Sequence, residues 1–193
     1  VRRAAEKLAE DLKENSLKDL EGKEYFYEYF DPTDPLGSDK ENPVSHIAYG
    51  FATHVVILND DGTVKEVHAA HDSGKVINPT TIEGQIEGGV VMGLGYALTE
   101  DLKVQNSVVK AKYGTLGLWR APAVPKIYPI LVEKEELLDI AYGAKGIGEI
   151  STIPIASAVQ GAYYAFDGIL RNEFPMKDTA YSKPKKDFLK KDK

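Results

Sequence analysis

Residues 46–58, HIAYGFATHVVIL, alternate apolar and polar side chains. Residues 59–63 read NDDGT, and 64–72, VKEVHAAHD, alternate again. A period of two places every second side chain on one face of a strand. Asp61-Gly62 supplies the turn chemistry, so the stretch predicts a β-hairpin. All four histidines fall in it: His46, His54, His68 and His71. His68 and His71 are three apart, which in a strand sends them to opposite faces. They read as hairpin residues, not as a pair of metal ligands.

Working outward, HDSGKVINPTTIEGQIEGGVVMGLGYALTE (71–100) comes next. Asp72-Ser73-Gly74 ends the strand. Asn78 as N-cap and Pro79 at the first helical position start a helix. Ile82, Ile86, Val90 and Leu94 recur at helical spacing. Gly84, Gly88, Gly89, Gly93 and Gly95 interrupt the same helix, and each interior glycine costs about 1 kcal/mol relative to alanine. Propensity alone does not explain them, so another helix or a ligand must approach the backbone closely. Gln85 stands among these glycines with a carboxamide that both donates and accepts.

The second glycine-rich stretch is Tyr142 to Ile155, YGAKGIGEISTIPI. Three glycines around Lys145 deliver the chain to one carboxylate, Glu149, and an apolar segment with helical spacing runs from about Pro154 to Leu170. Its expected buried stripe is Ile155, Val159, Ala162, Tyr163, Phe166 and Leu170. A carboxylate held in a partly desolvated turn could serve as a general base. The pattern G-x-x-G-x-G is neither a phosphate-binding P-loop nor a dinucleotide fingerprint. Between the two stretches, residues 104–129 are irregular. They hold Trp119 beside Arg120, a pair suited to a planar or anionic ligand, although core packing explains the tryptophan as well. A strand is expected over 127–134.

The flanks are plainer. Residues 2–14 predict an amphipathic helix, 24–30 (EYFYEYF) a strand, and 31–43 a loop rich in proline and charge. The basic run at the end predicts a disordered tail. The expected division is 1–45, 46–172 and a tail over 173–193. The class is α+β, a mixed sheet with a hairpin and helices packed on one side. The net charge of -6 gives no support to nucleic-acid binding, and 42% hydrophobic residues suit a globular chain. With no cysteine, this chain offers no disulfide, thiolate metal site or iron–sulfur ligand. The start has no apolar signal-peptide core, and it reads as a trimmed terminus or as a piece of a larger polypeptide.

Taken together, DSGKVINPTTIEGQIEGGVVMGLGYALTE and GAKGIGEISTIPIASAVQGAYYAF resemble the C-terminal part of the molybdenum-binding large subunit of the xanthine dehydrogenase/aldehyde oxidase family. The resemblance covers about His46 to Leu170. YGTLGLWRAPAVP (113–125) is similar to the selenium-dependent, purine-oxidising branch. The resemblance implies the second molybdopterin-binding domain of a cytoplasmic molybdenum hydroxylase acting on a purine, another N-heterocycle or an aldehyde. It implies molybdopterin as cofactor, plain or as a cytosine dinucleotide, with iron–sulfur and flavin groups on partner domains or subunits. Glu149 matches the family's base, which activates a metal-bound hydroxyl. Gln85 matches the glutamine that hydrogen-bonds the pterin. Lys145, Gly146 and Gly148 match contacts around the metal site, and Asn78 is a further match. Trp119 and Arg120 are candidate substrate contacts, and no direct metal ligand is expected. The apical glutamine and substrate-clamping residues of the family's first cofactor-binding half are not in this chain. The isolated chain is therefore expected to be inactive. A non-catalytic scaffold and an anion-binding module are the alternatives.

Overall fold

The computed structural model describes residues 1–30, 33–133 and 141–182. The chain divides into two compact units, Val1–Ile47 and Ala48–Lys193.

In the first unit, α1 (Arg2–Asp11) is the expected amphipathic helix, three residues shorter at its end. It buries no residue fully. The aromatic run 24–30 forms no strand, contrary to the sequence expectation. A strand needs a ladder partner, and this run makes side-chain and single backbone contacts instead. The Tyr25 hydroxyl donates to Asp11 at 2.7 Å, and Lys7 Nζ donates to the Phe26 carbonyl at 3.0 Å. Phe26 and Phe30 stay exposed.

The second unit is built on the hairpin. Strands β1 (Ala52–Leu58) and β2 (Val64–Asp72) pair antiparallel. Gly62, at φ 80°, closes the turn, and Asp61 Oδ1 accepts from the Thr63 N–H at 2.9 Å. Helix α2 (Pro79–Leu98) follows, with the Asn78 side chain accepting from the Thr81 N–H at 3.3 Å. The irregular stretch after it contains a minimal ladder, β3 (Val104–Gln105) with β4 (Val108–Val109), and one turn of 3₁₀ helix at Ala121–Ala123. Strand β5 (Lys126–Val132) then joins β2 in parallel. The sheet order is β1-β2-β5, so the sheet is mixed, as expected. Pro129 lies in β5, an edge strand, where its missing N–H is tolerated. A 3₁₀ turn (Ile150–Thr152) leads into α3 (Ile153–Asp167).

Both long helices cover one face of this sheet. Val67 and Ala69 of β2, Ile86, Val90 and Leu94 of α2, and Ile155, Val159 and Tyr163 of α3 form the core. The helix over 154–170 ends earlier than expected. Gly168, at φ 75°, caps it in the left-handed conformation that glycine adopts without strain. Phe166 and Leu170 are consequently exposed instead of completing the stripe. The tail expectation over 173–193 also needs correcting. Met176 is buried, its N–H donates to the Ala97 carbonyl at 2.8 Å, and Tyr181 packs on Trp119. Apolar Phe174, Met176 and Tyr181 supply a reason to fold that the basic run lacks. Residues 183–193 lie outside the described residues, as does most of the acidic stretch after Glu133.

The close approach predicted for the α2 glycines is real at two positions. A Cβ on Gly89 would overlap the Ser151 side chain, and one on Gly93 would overlap Ile155 Cγ2. The backbone of α2 thus lies directly against the turn that carries the second motif. Gly84 and Gly88 are different: no atom lies within 4 Å of where their Cβ would be.

Candidate functional site

The two glycine-rich stretches meet. Gln85 Nε2 donates to the carbonyl oxygen of Gly148 at 2.6 Å, across 63 residues of sequence. Three residues further on, Ser151 is fully buried, and its hydroxyl donates to the Gln85 carbonyl at 3.3 Å. Gln85 is therefore gripped from both sides of Glu149. Helix spacing lets Gln85 face out while Ile86, Gly89 and Gly93 face in, so one helix both packs the loop and presents the amide.

Glu149 precedes the 3₁₀ turn, and its carbonyl accepts from the Thr152 N–H at 3.0 Å. Its side chain makes no capping hydrogen bond and is exposed. This corrects the expectation of a partly desolvated carboxylate. Gly146, Gly148 and Glu149 of this loop are exposed.

Upstream, the loop is fastened to the end of β2. Gly74 and Ala144 form an isolated antiparallel bridge. The Lys145 N–H donates to the Ser73 carbonyl, and the Lys75 N–H to the Gly143 carbonyl, each at 2.9 Å. The Lys145 side chain, only 2% exposed, turns inward and pairs with Asp72 Oδ2 at 2.8 Å. It also donates to the Tyr49 carbonyl at 2.8 Å. Lys145 thus anchors the loop from behind. Gly146 and Gly148 are exposed, with open space where a Cβ would stand.

Three residues that matter here gave no local signal. Asp72 reads in the sequence as a strand end, but its partner lies 73 residues away. His54 and His71 read as opposite-strand residues, yet they share a hydrogen bond, Nε2 to Nε2, at 2.7 Å in the buried layer. Their Nδ1 atoms have no hydrogen-bond partner among the described residues. Burial holds both imidazoles below their usual range, and His54, which also faces the charge of His71, is brought down to about 4. His68 points to the opposite face and stacks on Tyr128, with ring centroids 4.7 Å apart.

Trp119 and Arg120 face different surroundings. Trp119 packs against the core and Tyr181, and Arg120 is exposed at the start of the 3₁₀ turn. Their segment is tied to the C-terminal end of α2, where the Asp101 N–H donates to the Leu116 carbonyl at 3.0 Å.

On the other flank of Gln85, an open groove of about 450 Å³ is lined by Gly84, Glu87, Gly88, Val91, Val124, Pro125 and Ile127. The side-chain-free surface at Gly84 and Gly88, the neighbouring exposed amide of Gln85 and the exposed Glu149 carboxylate suit a planar, hydrogen-bonding cofactor approaching from outside. The residues present therefore fit a pterin, with the chain forming one wall of the site.

This mixed sheet with its helices on one face is the architecture of a molybdenum hydroxylase cofactor-binding domain. It matches the aldehyde oxidoreductase from Desulfovibrio gigas, activated with sodium dithionite and sodium sulfide, with a TM-score of 0.56 and 26% identity, covering 67% of this chain and 15% of that one. The molybdopterin cofactor-binding domain family matches residues 1–125, and the chain belongs to that family. The matched span includes the Gln85 helix and ends before the Glu149 loop. Similar proteins include the xanthine dehydrogenase molybdenum-binding subunit of Escherichia coli, 33% identical over 122 residues, which cover 59% of this chain and 15% of that protein. The aldehyde oxidoreductase molybdenum-binding subunit of Escherichia coli is 27% identical over 134 residues, 65% of this chain and 18% of that protein. The matched part of the chain thus spans less than a fifth of the length of these relatives. No helix among the described residues is long and apolar enough to cross a membrane.

Proposed function

We propose that this chain forms the C-terminal wall of the cofactor site in a molybdenum hydroxylase, with Glu149 as the general base. The observation that carries the reading is the Gln85–Gly148 hydrogen bond of 2.6 Å. It joins the residue that matches the pterin-binding glutamine to the carbonyl immediately before the residue that matches the base. Two motifs with separate matches to one site are thereby held side by side.

Bound molybdopterin would supply the oxygen-transfer and two-electron chemistry that no side chain here can perform. The chain's own residues then have distinct tasks. Gln85 orients the cofactor with the part of its carboxamide not committed to Gly148. Gly146 and Gly148 expose backbone that a bulky ligand can approach. Asn78 fixes the start of α2, and with it the angle at which Gln85 is presented. Glu149 takes up the proton released as a hydroxyl group adds to an electrophilic carbon of the substrate. Exposed as it stands, its carboxylate is open to a substrate approaching from outside.

The substrate class is a purine, another N-heterocycle or an aldehyde. Iron–sulfur and flavin groups reside on partner domains or subunits, because this chain has no cysteine to hold a cluster. The isolated chain holds the cofactor only weakly and does not turn over. Measuring molybdenum and pterin content tests this. Gln85→Ala in the complete enzyme should lower the cofactor content, and the purified chain alone should carry none. Full occupancy of the Gln85→Ala enzyme, or stoichiometric cofactor on the isolated chain, would contradict the proposal.

A further inference from the structure

We propose that Asp72 is the positioning residue for the loop that carries Glu149, acting through Lys145; this rests on the reading of Glu149 as the base. Asp72 closes β2. Its carboxylate accepts from two sides, Oδ1 from the Gly74 N–H at 3.0 Å and Oδ2 from Lys145 Nζ at 2.8 Å. Both side chains are nearly out of water, Asp72 at 10% and Lys145 at 2% exposure. A buried ion pair is a weak stabiliser compared with an apolar replacement, yet it is demanding in geometry. It fixes where the Lys145 backbone can sit.

The backbone around the pair shows the result. Lys145 and Lys75 each donate across to the opposite segment, Gly74 bridges Ala144, and Gly74, at φ +61°, has no room for a Cβ beside the Gly143 carbonyl. Residues 143–145 are clasped to the strand end, and Gly148 is held by Gln85. The loop is pinned at both ends, with Gly146 and Ile147 between the pins, and Glu149 leaves directly from the second pin. Lys145 matches a family residue near the metal site, but the geometry gives its ammonium a different task. It faces Asp72 and the Tyr49 carbonyl, behind the loop.

Hydrogen exchange on the full chain tests the clasp without any cofactor. Asp72→Asn should speed exchange at the Lys75 and Lys145 amides by about tenfold or more, while the amides of α2 and α3 keep wild-type protection. In the complete enzyme, Asp72→Asn should lower kcat at unchanged KM and molybdenum content, and Asp72→Glu should recover part of the loss. Gly74→Ala pushes on the same loop without touching the charges. It decides the matter if Asp72→Asn fails to fold: the same two amides should open and kcat should fall. Unchanged exchange at Lys75 and Lys145 would overturn the proposal, and so would a loosened loop with wild-type kcat. Glu149→Gln measured alongside keeps the two readings apart. Near-normal turnover there removes the base itself, whereas its loss with Asp72→Asn turnover intact removes only the positioning role.

Discussion

Acidification should unfold the second unit through its buried histidine pair. In the neutral pair, one Nε2 carries a proton and donates to the other, 2.7 Å away. A second proton would have to enter a buried layer. Burial, reinforced by the charge of His71, holds His54 at about 4, against an ordinary value of 6.5. The folded state therefore binds fewer protons than the unfolded chain below pH 6.5. The stability contributed by neutral His54 is complete above that pH and is lost as the pH falls from about 6.5 toward about 4. At about pH 5 the loss from His54 alone is about 2 kcal/mol, and burial of His71 acts in the same direction. Urea unfolding followed by Trp119 fluorescence reads this directly, because the only tryptophan packs inside this unit. The measurement compares wild type with His54→Leu at about pH 7.5 and about pH 5, so that carboxylate contributions common to both proteins cancel. Wild type should lose about 2 kcal/mol more than the variant between the two pH values. Equal losses would refute the reasoning, since the pair would then not resist protonation.

Three further outcomes follow from the packing. Gly93→Ala forces a methyl against Ile155 Cγ2 where α2 crosses the motif turn, and should destabilise by about 1–3 kcal/mol in the same urea assay. Lys145→Met removes the ammonium that pairs with the buried Asp72 carboxylate and should cost about 3–5 kcal/mol, well beyond a surface lysine such as Lys65. Tyr163→Phe removes a buried hydroxyl that donates to the Gly62 carbonyl at 2.6 Å, with an expected loss of about 1 kcal/mol. Burial pushes that hydroxyl up to about 12, so the loss should be the same at any pH below about 10.

Much of the second unit was legible because its signals are local. The returning strand over 64–72, the Asp61-Gly62 turn and the Asn78-Pro79 helix start each depend on neighbours within a few residues and form as read, whereas the first strand, read over 46–58, forms only over Ala52–Leu58. The surplus of glycine in α2 pointed to close approach, and Gly89 and Gly93 provide it. What the sequence hid was long-range. The aromatic alternation at 24–30 looks like a strand but finds no ladder. The pairings of Asp72 with Lys145 and of His54 with His71 exist only after the strand ends and the loop are placed together. Trp119 beside Arg120 suggested a ligand, but Tyr181, beyond the last predicted helix, supplies the tryptophan's real neighbour. In the candidate site, types and spacing singled out Gln85 and the Glu149 loop, and the fold brings the two stretches together. The exposure of Glu149 and the inward turn of Lys145 depend on packing and could not be read from either.

The most direct test of the central claim is the turnover of Glu149→Gln in the complete molybdenum enzyme, with its molybdenum content measured in the same preparation. The substitution keeps the size and hydrogen-bonding reach of the side chain and removes its ability to take up a proton. With molybdenum content unchanged, kcat should fall by about a hundredfold to ten-thousandfold. Turnover close to wild type at full molybdenum content would contradict the assignment of Glu149 as the base.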